Sequence, residues 1–306
     1  MSDDLRPTGA DTTTRRLERA LGDTMRRALP AGLVEFVMFW LKLGWAALFG
    51  VLILGGILIT SRIWQSDWPI ARYDFLVAYA LGLQILFLAL RLESWREVKV
   101  IFLFHLTGTC MEIFKINAGS WAYPEPGLLK LLGVPLFSGF MYASVGSFMA
   151  RAIRVFDMRF APFPPFWVSV ALATAIYLNF IMHHYTWDAR YVLMVATVVL
   201  FARTRIWFWI GPSQYWMPLP LAAFLSAFFL WLAENIGTNT RTWLYAGQDP
   251  ADWVSLSKMG SWYLLLFVSF TTVTLVFRDA LNARPLSSGN RAAPKPPEKS
   301  QTPKSG

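Results

Sequence analysis

Two glutamates lie inside apolar stretches of the chain, and the residues that follow them share one spacing. Glu112 begins EIFKINAGSWAY and Glu234 begins ENIGTNTRTWLY, so both segments fit the pattern Glu-x4-Asn-x3-Trp-x-Tyr. A buried carboxyl group can keep its proton near neutral pH because desolvation disfavours the charged form, and aromatic faces can stabilise a cation beside it. The combination favours acid–base chemistry, such as protonation of a carbon–carbon double bond followed by cyclisation, isomerisation or addition of water.

The two segments lie 122 positions apart, which indicates an internal duplication. We predict two four-helix halves, residues 33–158 and 159–283, that run in the same direction and form a parallel repeat. Two less specific interpretations stay open. Glu112 would pair with Lys115 three residues further on, and the aromatic residues would anchor the chain at the membrane interface. The equivalent positions are Glu112 and Glu234, Asn117 and Asn239, Trp121 and Trp243, and Tyr123 and Tyr245.

Further polar residues are expected near the two glutamates. His105, Glu112 and Lys115 recur at helical spacing and share one helix face. His183 and His184 end a later apolar stretch on the same outer side. Three histidines leave metal ligation open, but no regular ligand motif accompanies them, and we predict neither a metal nor a cofactor. The predicted catalytic residues are Glu112 and Glu234, and the predicted substrate-binding residues are His105, Lys115, Asn117, Trp121, Tyr123, His183, His184, Asn239, Trp243 and Tyr245.

The composition is typical of a membrane protein. Hydrophobic residues make up 55% of the 306 positions, charged residues make up only 15%, and the mean hydropathy is +0.42. Apolar stretches of about 17 to 25 residues recur, which is the length needed to cross a hydrocarbon core. We predict an all-α integral membrane protein with about eight transmembrane helices, near residues 35–60, 73–92, 99–116, 134–153, 166–184, 190–210, 218–237 and 260–277.

The basic residues predict the orientation of these helices. The chain has 28 Lys and Arg against 19 Asp and Glu, and the basic residues concentrate in both tails and on alternate sides of the spans. Positive loops face the cytoplasm, so both termini are expected there. Residues 1–32 are predicted to be a basic segment, either a partly amphipathic helix on the membrane surface or a solvated tail, and residues 284–306 a disordered cytoplasmic tail. Membrane lipids are the expected partners and nucleic acid is not, because no basic groove with interleaved aromatics is present.

Two resemblances to known families add to these expectations. The segments FHLTGTCMEIFKINAGSWAYPEPGLLKLLGVPLFSGFMYASVGSF and WLAENIGTNTRTWLY make the membrane portion similar to the bacterial multipass family called domain of unknown function 817. That resemblance implies a membrane location but no activity. We expect the bacterial inner membrane. Residues 112–136, with Glu112, Gly119, Trp121, Tyr123 and LLGVPL, also resemble membrane carotenoid hydratases and lycopene cyclases. This second resemblance implies acid chemistry on a polyene without a redox cofactor.

These observations support two main hypotheses. The first is a membrane-embedded enzyme that acts on an isoprenoid or other lipid, with Glu112 and Glu234 as acid and base or as paired acids. The second is a transporter in which the same glutamates carry protons or bind a cation. A non-catalytic scaffold or sensor is a third possibility. The first two hypotheses require the two carboxylates to meet in an enclosed polar chamber near the outer surface. The oligomeric state is left open by the sequence.

Overall fold

The computed structural model describes residues 20–22, 24–25, 27–183, 185–211, 213–247, 249 and 252–282. Most of the predicted basic segment in 1–32, the predicted tail 284–306 and His184 lie outside the described residues. The described chain is mostly helical. Its helices are α1 (Ala31–Ile63), α2 (Arg72–Ala89), α3 (Trp95–Asn117), α4 (Phe137–Val155), α5 (Phe166–Met182), α6 (Arg190–Phe201), α7 (Leu219–Asn239) and α8 (Leu256–Val276).

Five of these helices, α1, α2, α3, α7 and α8, are long and apolar enough to cross a membrane. α4 has 19 residues but carries Arg151 and Arg154, and α5 and α6 are shorter apolar helices of 17 and 12 residues. Helices of this length and composition are those of an integral membrane protein.

Short strands connect the helices. They are β1 (Trp121–Ala122), β2 (Lys130–Leu131), β3 (Val134–Pro135), β4 (Arg159–Ala161), β5 (Arg205–Ile210), β6 (Ser213–Pro218) and β7 (Leu244–Tyr245). β1 pairs with β7, β2 pairs with β3, and β4, β5 and β6 form one antiparallel sheet.

The strands correct two predicted spans. The span predicted at 190–210 is wrong at its end, because α6 stops at Phe201 and the six residues RIWFWI form β5. Aromatic and β-branched residues favour extended backbone, and Gly211, with φ of +55°, turns the chain into β6. The span predicted at 134–153 begins too early, because residues 134–135 form β3 and α4 starts at Phe137.

The predicted site lies at one end of the helix bundle, here called the carboxylate end. Arg72, the first residue of α2, donates to Glu125 and to Thr242 Oγ1 at 2.7 Å, so the loops that follow α3 and α7 meet there. The Lys115 ammonium on α3 lies 4.3 Å from the ring centroid of Phe180 on α5. The carboxylate end is therefore formed by the last turns of α3, α5 and α7 and by the first turns of α2, α4, α6 and α8.

Ion pairs hold the opposite end together. Arg151 donates to Glu93 at 2.8 Å, and both side chains are fully buried. Arg154 donates to Glu97 at 3.0 Å, one turn further along α4. Ser94 and Glu97 form a capping box at the start of α3, which satisfies free N–H groups of its first turn. These contacts fix α4 against the turn between α2 and α3.

Candidate functional site

The two glutamates precede helix ends that are built in the same way. In α3, Ser120 N–H donates to Lys115 O at 3.0 Å and Gly119 N–H donates to Ile116 O at 2.9 Å. In α7, the corresponding bonds run from Thr242 to Gly237 at 3.0 Å and from Arg241 to Thr238 at 2.9 Å. Both are Schellman motifs, in which the residue after the cap is left-handed. Gly119 and Arg241 occupy that position, with φ of +70° and +53°.

This termination turns the chain back over its own helix and brings each tryptophan to its glutamate. Glu112 is 2% exposed, and its Oε2 accepts a hydrogen bond from Trp121 Nε1 at 2.8 Å. Its Oε1 accepts from the Tyr142 hydroxyl of α4 at 2.7 Å. Gly108 lets Tyr142 approach α3, because a Cβ at Gly108 would lie 2.7 Å from the tyrosine side chain.

Glu234 has a matching environment. Its Oε1 accepts from Trp243 Nε1 at 2.8 Å and from the Tyr245 hydroxyl at 2.5 Å. Its Oε2 accepts from Trp262 Nε1 of α8 at 3.1 Å. In both sites the tryptophan at position +9 binds the carboxylate, and a residue of the following helix supplies another donor. Indole N–H groups can only donate, so the carboxyl oxygens are the acceptors of these bonds.

The two environments are joined through aromatic contacts. The rings of Trp121, bound to Glu112, and Tyr245, bound to Glu234, lie 5.8 Å apart in an edge-to-face arrangement. The rings of Tyr142 and Trp262, which bind the same two glutamates, lie 6.5 Å apart. These six side chains form a closed loop, here called the carboxylate ring: Glu112, Trp121, Tyr245, Glu234, Trp262 and Tyr142. The structure thus brings the two predicted catalytic residues into one connected site.

The tyrosines of the two loops act as hydrogen-bond donors. Burial and the Glu234 carboxylate raise the pKa of Tyr245 well above its usual value. Burial and the Glu112 carboxylate likewise raise the pKa of Tyr123. Both phenols therefore keep their protons at neutral pH. Tyr123 and Trp243 are buried in the core of this end of the bundle, with 7% and 9% of their surface exposed, which is not the environment of interfacial anchors.

Positive charge lies next to the carboxylate ring. The Lys258 ammonium of α8 lies 3.5 Å from the ring centroid of Tyr245, a cation–π contact that places it near Glu234. Lys115 is buried, and its ammonium packs over Phe180. One aromatic ring of the site, that of Tyr245, thus already lies against a cation.

Other predicted residues lie outside the carboxylate ring. His105 is about 10 Å from Glu112 along the helix axis, seven residues earlier, and packs against Phe140 with ring centroids 4.8 Å apart. Asn117 and Asn239 are exposed and are the last residues of α3 and α7, so their shared spacing reflects where the helices end. His183 is half-buried beyond the end of α5, where its Nδ1 lies 3.0 Å from Phe180 O.

The geometry adds three residues that sequence reasoning missed: Tyr142, Trp262 and Lys258. Each comes from the helix that follows the helix of the glutamate it approaches, and the contact depends on how the two helices pack, so no local spacing marked it. For Tyr142 and Trp262 the available signal was a polar aromatic residue in an otherwise apolar span. Within the described ranges, no group of three His, Cys, Asp or Glu side chains is arranged to hold a metal ion.

Comparison with known proteins places residues 35–270 within a family described as "Protein of unknown function (DUF817)". A relative from Bacillus subtilis (strain 168), "Uncharacterized protein YoaT", is 41% identical over 240 residues, which cover 78% of this chain and 90% of the relative. No solved structure matches the chain.

Proposed function

Because the chain belongs to the DUF817 family, whose description gives no activity, we propose a function from the site itself. The protein is a membrane-embedded enzyme that uses Glu112 and Glu234 for acid–base chemistry on an isoprenoid or other lipid with a carbon–carbon double bond. The observation that carries this proposal is the carboxylate ring, in which two buried carboxyl groups are held by aromatic donors and linked through aromatic faces.

The ring fits a reaction that develops positive charge in an apolar site. One protonated glutamate, Glu112, gives its proton to a double-bond carbon and becomes a carboxylate, leaving a cation on the neighbouring carbon. In this proposal the rings of Trp121, Tyr142 and Trp262, which lie around the two carboxyl groups, stabilise that cation. Glu234 then removes a proton from an adjacent carbon, or from a water that has added to the cation. The substrate gains one proton and loses one, so the reaction leaves Glu112 as a carboxylate and Glu234 protonated. Return of that proton to Glu112 completes the cycle, and no redox cofactor is needed.

Lipid profiling of cells tests this function. Cells that lack the gene should accumulate a lipid precursor, and wild-type protein should remove it. Glu112→Gln and Glu234→Gln should each fail to do so, because loss of a positioned acid or base slows such reactions by roughly 10² to 10⁴-fold. Glu35→Gln makes the same change at the opposite end of the bundle, where Ser213 and Tyr215 donate to Glu35, and should restore the wild-type profile. Unchanged lipids in the deletion strain, or full restoration by both site variants, would contradict the proposal.

A proton- or cation-coupled transporter is the second candidate. It is favoured by the position of Lys258 over Tyr245 and near Glu234, because a side-chain ammonium already lies where a transported cation would bind. Exchange of a proton or small cation at this place needs less room than a lipid does. Under this function, proteoliposomes should show solute uptake driven by a pH gradient, Glu234→Gln should abolish it, and the lipid profile should stay unchanged.

The proposed topology has eight membrane crossings in two parallel four-helix repeats, in a bacterial inner membrane with both termini in the cytoplasm. The pairing of β4 with β5 supports it, because α4 and α6 must then end on the same side. Ala122 and Leu244, paired between β1 and β7, are 122 residues apart, the same offset that relates the glutamates. Arg96, Arg151 and Arg154 lie at the end opposite the site, as expected of a cytoplasmic side.

A further inference from the structure

Three basic residues lie together beside the carboxylate ring: Lys115 of α3, Arg190 of α6 and Lys258 of α8, here called the basic cluster. Lys115 packs over Phe180, and the ring of Phe180 lines one small cavity together with Arg190 and Ser261. Ser261 lies three residues after Lys258 on α8, so the three basic side chains border the same part of the bundle. Lys115 is buried, whereas Arg190 and Lys258 are partly exposed. The cluster therefore reaches from the interior of the bundle to its surface at the carboxylate end.

The helix ends add to the positive charge of this place. Arg190 is the first residue of α6 and Lys258 is the third residue of α8. A helix N-terminus carries partial positive charge on its free N–H groups, so basic residues in the first turn are unfavourable there. An anion at the same place would be stabilised by the side chains and by both helix ends.

The acidic groups that face the cluster are Asp188 and Glu234. Asp188 Oδ2 lies 3.1 Å from Arg190 Nη2, and its Oδ1 accepts from Asn179 Nδ2 at 3.2 Å. Glu234 is occupied by its three aromatic donors within the carboxylate ring. Asp188 is therefore the carboxylate that competes most directly with an incoming anion, because it already pairs with Arg190.

A small cavity lies beside the basic cluster, and Arg190 is the cluster residue that lines it. It has a volume of about 10 Å³ and is lined in part by Asn179, Phe180, His183, Arg190 and Ser261. That volume admits about one water-sized group. One oxygen atom of a phosphate would fit, with the rest of the phosphate at the partly exposed side of Arg190.

We propose that the basic cluster binds the phosphate group of an amphipathic substrate and so holds its apolar chain against the carboxylate ring. The amphipathic nature of the ligand rests on the enzyme function proposed above, whereas the phosphate site rests on the cluster and cavity. Arg190 and Lys258 are then specificity-determining residues: they select lipids with an anionic headgroup over neutral hydrocarbons.

Calorimetry on the purified full-length protein in a nonionic detergent tests the site with two probes, dodecyl phosphate and inorganic phosphate. Dodecyl phosphate should bind saturably and at least about tenfold more tightly than inorganic phosphate, because its chain buries apolar surface. Equal affinities would show a site for free phosphate and would overturn the lipid assignment. Absence of saturable binding of either probe would overturn the whole proposal.

Variants separate this site from the catalytic proposal. Arg190→Gln and Lys258→Gln should each weaken dodecyl phosphate binding about tenfold or more, the effect of losing a charged hydrogen-bond donor. Lys99→Gln, at an exposed position near the start of α3, makes the same change as Lys258→Gln and should leave binding unaltered. Asp188→Asn should tighten binding, a gain that a merely structural role would not give.

Glu234→Gln separates phosphate binding from turnover, because it should retain dodecyl phosphate binding and lose turnover. A wild-type protein that binds the probe but changes no lipid would contradict the proposed enzyme function, and the phosphate site would still be supported. If Arg190→Gln and Lys258→Gln both bind as the wild type does, the basic cluster is not the phosphate site.

Discussion

Gly237 provides a direct test of the Glu234 environment. A Cβ at this position would lie 1.8 Å from Cη2 and 2.1 Å from Cζ2 of Trp243, so Gly237→Ala must displace the indole that donates to Glu234. Overpacking costs about 1 to 3 kcal/mol, and loss of a hydrogen bond to a charged group costs about 1.5 to 3 kcal/mol. The better helix propensity of alanine offsets about 0.5 to 1 kcal/mol. The expected net loss of stability is about 2 to 5 kcal/mol.

Thermal unfolding followed by tryptophan fluorescence measures this loss, with every variant in one detergent at one scan rate. The midpoint should fall by roughly 5 to 15 °C. Gly82→Ala is the matched control, because Gly82 lies inside α2 and a Cβ there would have no neighbour within 4 Å. It should be neutral or slightly stabilising. Equal midpoints for the two variants would refute the packing of Trp243 over α7.

A double-mutant cycle isolates the steric part. The Trp243 atoms that would meet the new methyl group belong to the outer indole ring, which phenylalanine lacks. Trp243→Phe should cost about 1.5 to 3 kcal/mol through loss of the N–H donor. In that background Gly237→Ala should cost about 1 to 3 kcal/mol less than in the wild type. If the stability losses of the two changes simply add, the contact between Gly237 and Trp243 is contradicted. If Gly237→Ala does not fold, the stability of Trp243→Phe alone tests the hydrogen bond from Trp243 to Glu234.

Two further predictions concern charged pairs. Glu93→Gln should lower stability by about 3 to 5 kcal/mol, because it leaves the fully buried Arg151 guanidinium without its counter-charge. Asp279→Asn removes one partner of the half-exposed pair with Arg96 and should cost less than about 1 kcal/mol. Equal shifts in thermal midpoint for the two variants would contradict this difference. Burial acts to raise the pKa of Asp188, but hydrogen bonds from Asn179 and Arg190 hold it below its usual value, so its stabilising contribution is present above about pH 4 and lost as the pH falls further. Thermal midpoints measured from about pH 7 to pH 3 should therefore fall less at the acid end for Asp188→Asn than for the wild type, and parallel curves would count against this assignment.

The local contacts of the site could be predicted in part from the sequence. Apolar length predicted most of the helices, and the shared spacing marked both glutamate–tryptophan pairs, although the hydrogen bond within each pair was not predicted. This was possible because helix periodicity, the Schellman turn and the return of the chain are all local. The asparagines were assigned to the site for the same reason, although they only mark the helix ends.

The contacts between different helices could not be predicted from local spacing. Tyr142 and Trp262 lie 30 and 28 residues beyond their glutamates and reach them only because α4 and α8 pack against α3 and α7. The strand β5 was taken for the end of a span, since a run of six mostly apolar residues satisfies both patterns. The Gly-Pro pair that follows this run is the sequence signal of a turn, and it distinguishes a strand from the end of a membrane span.

The register of β1 and β7 has a consequence for the origin of the fold. Trp121 faces Tyr245 and Ala122 faces Leu244, so a rotation of half a turn about the second pair would exchange each residue with its counterpart 122 positions away. Each carboxylate accepts from the tryptophan of its own segment, and aromatic contacts and a two-residue ladder connect the two segments. Self-complementary contact of this kind is what two identical subunits make across a dyad. If the fold arose by fusion of the genes of two identical subunits, this contact would be the former dimer interface. Basic residues that are present in only one half, such as Arg190, would then have arisen after the fusion.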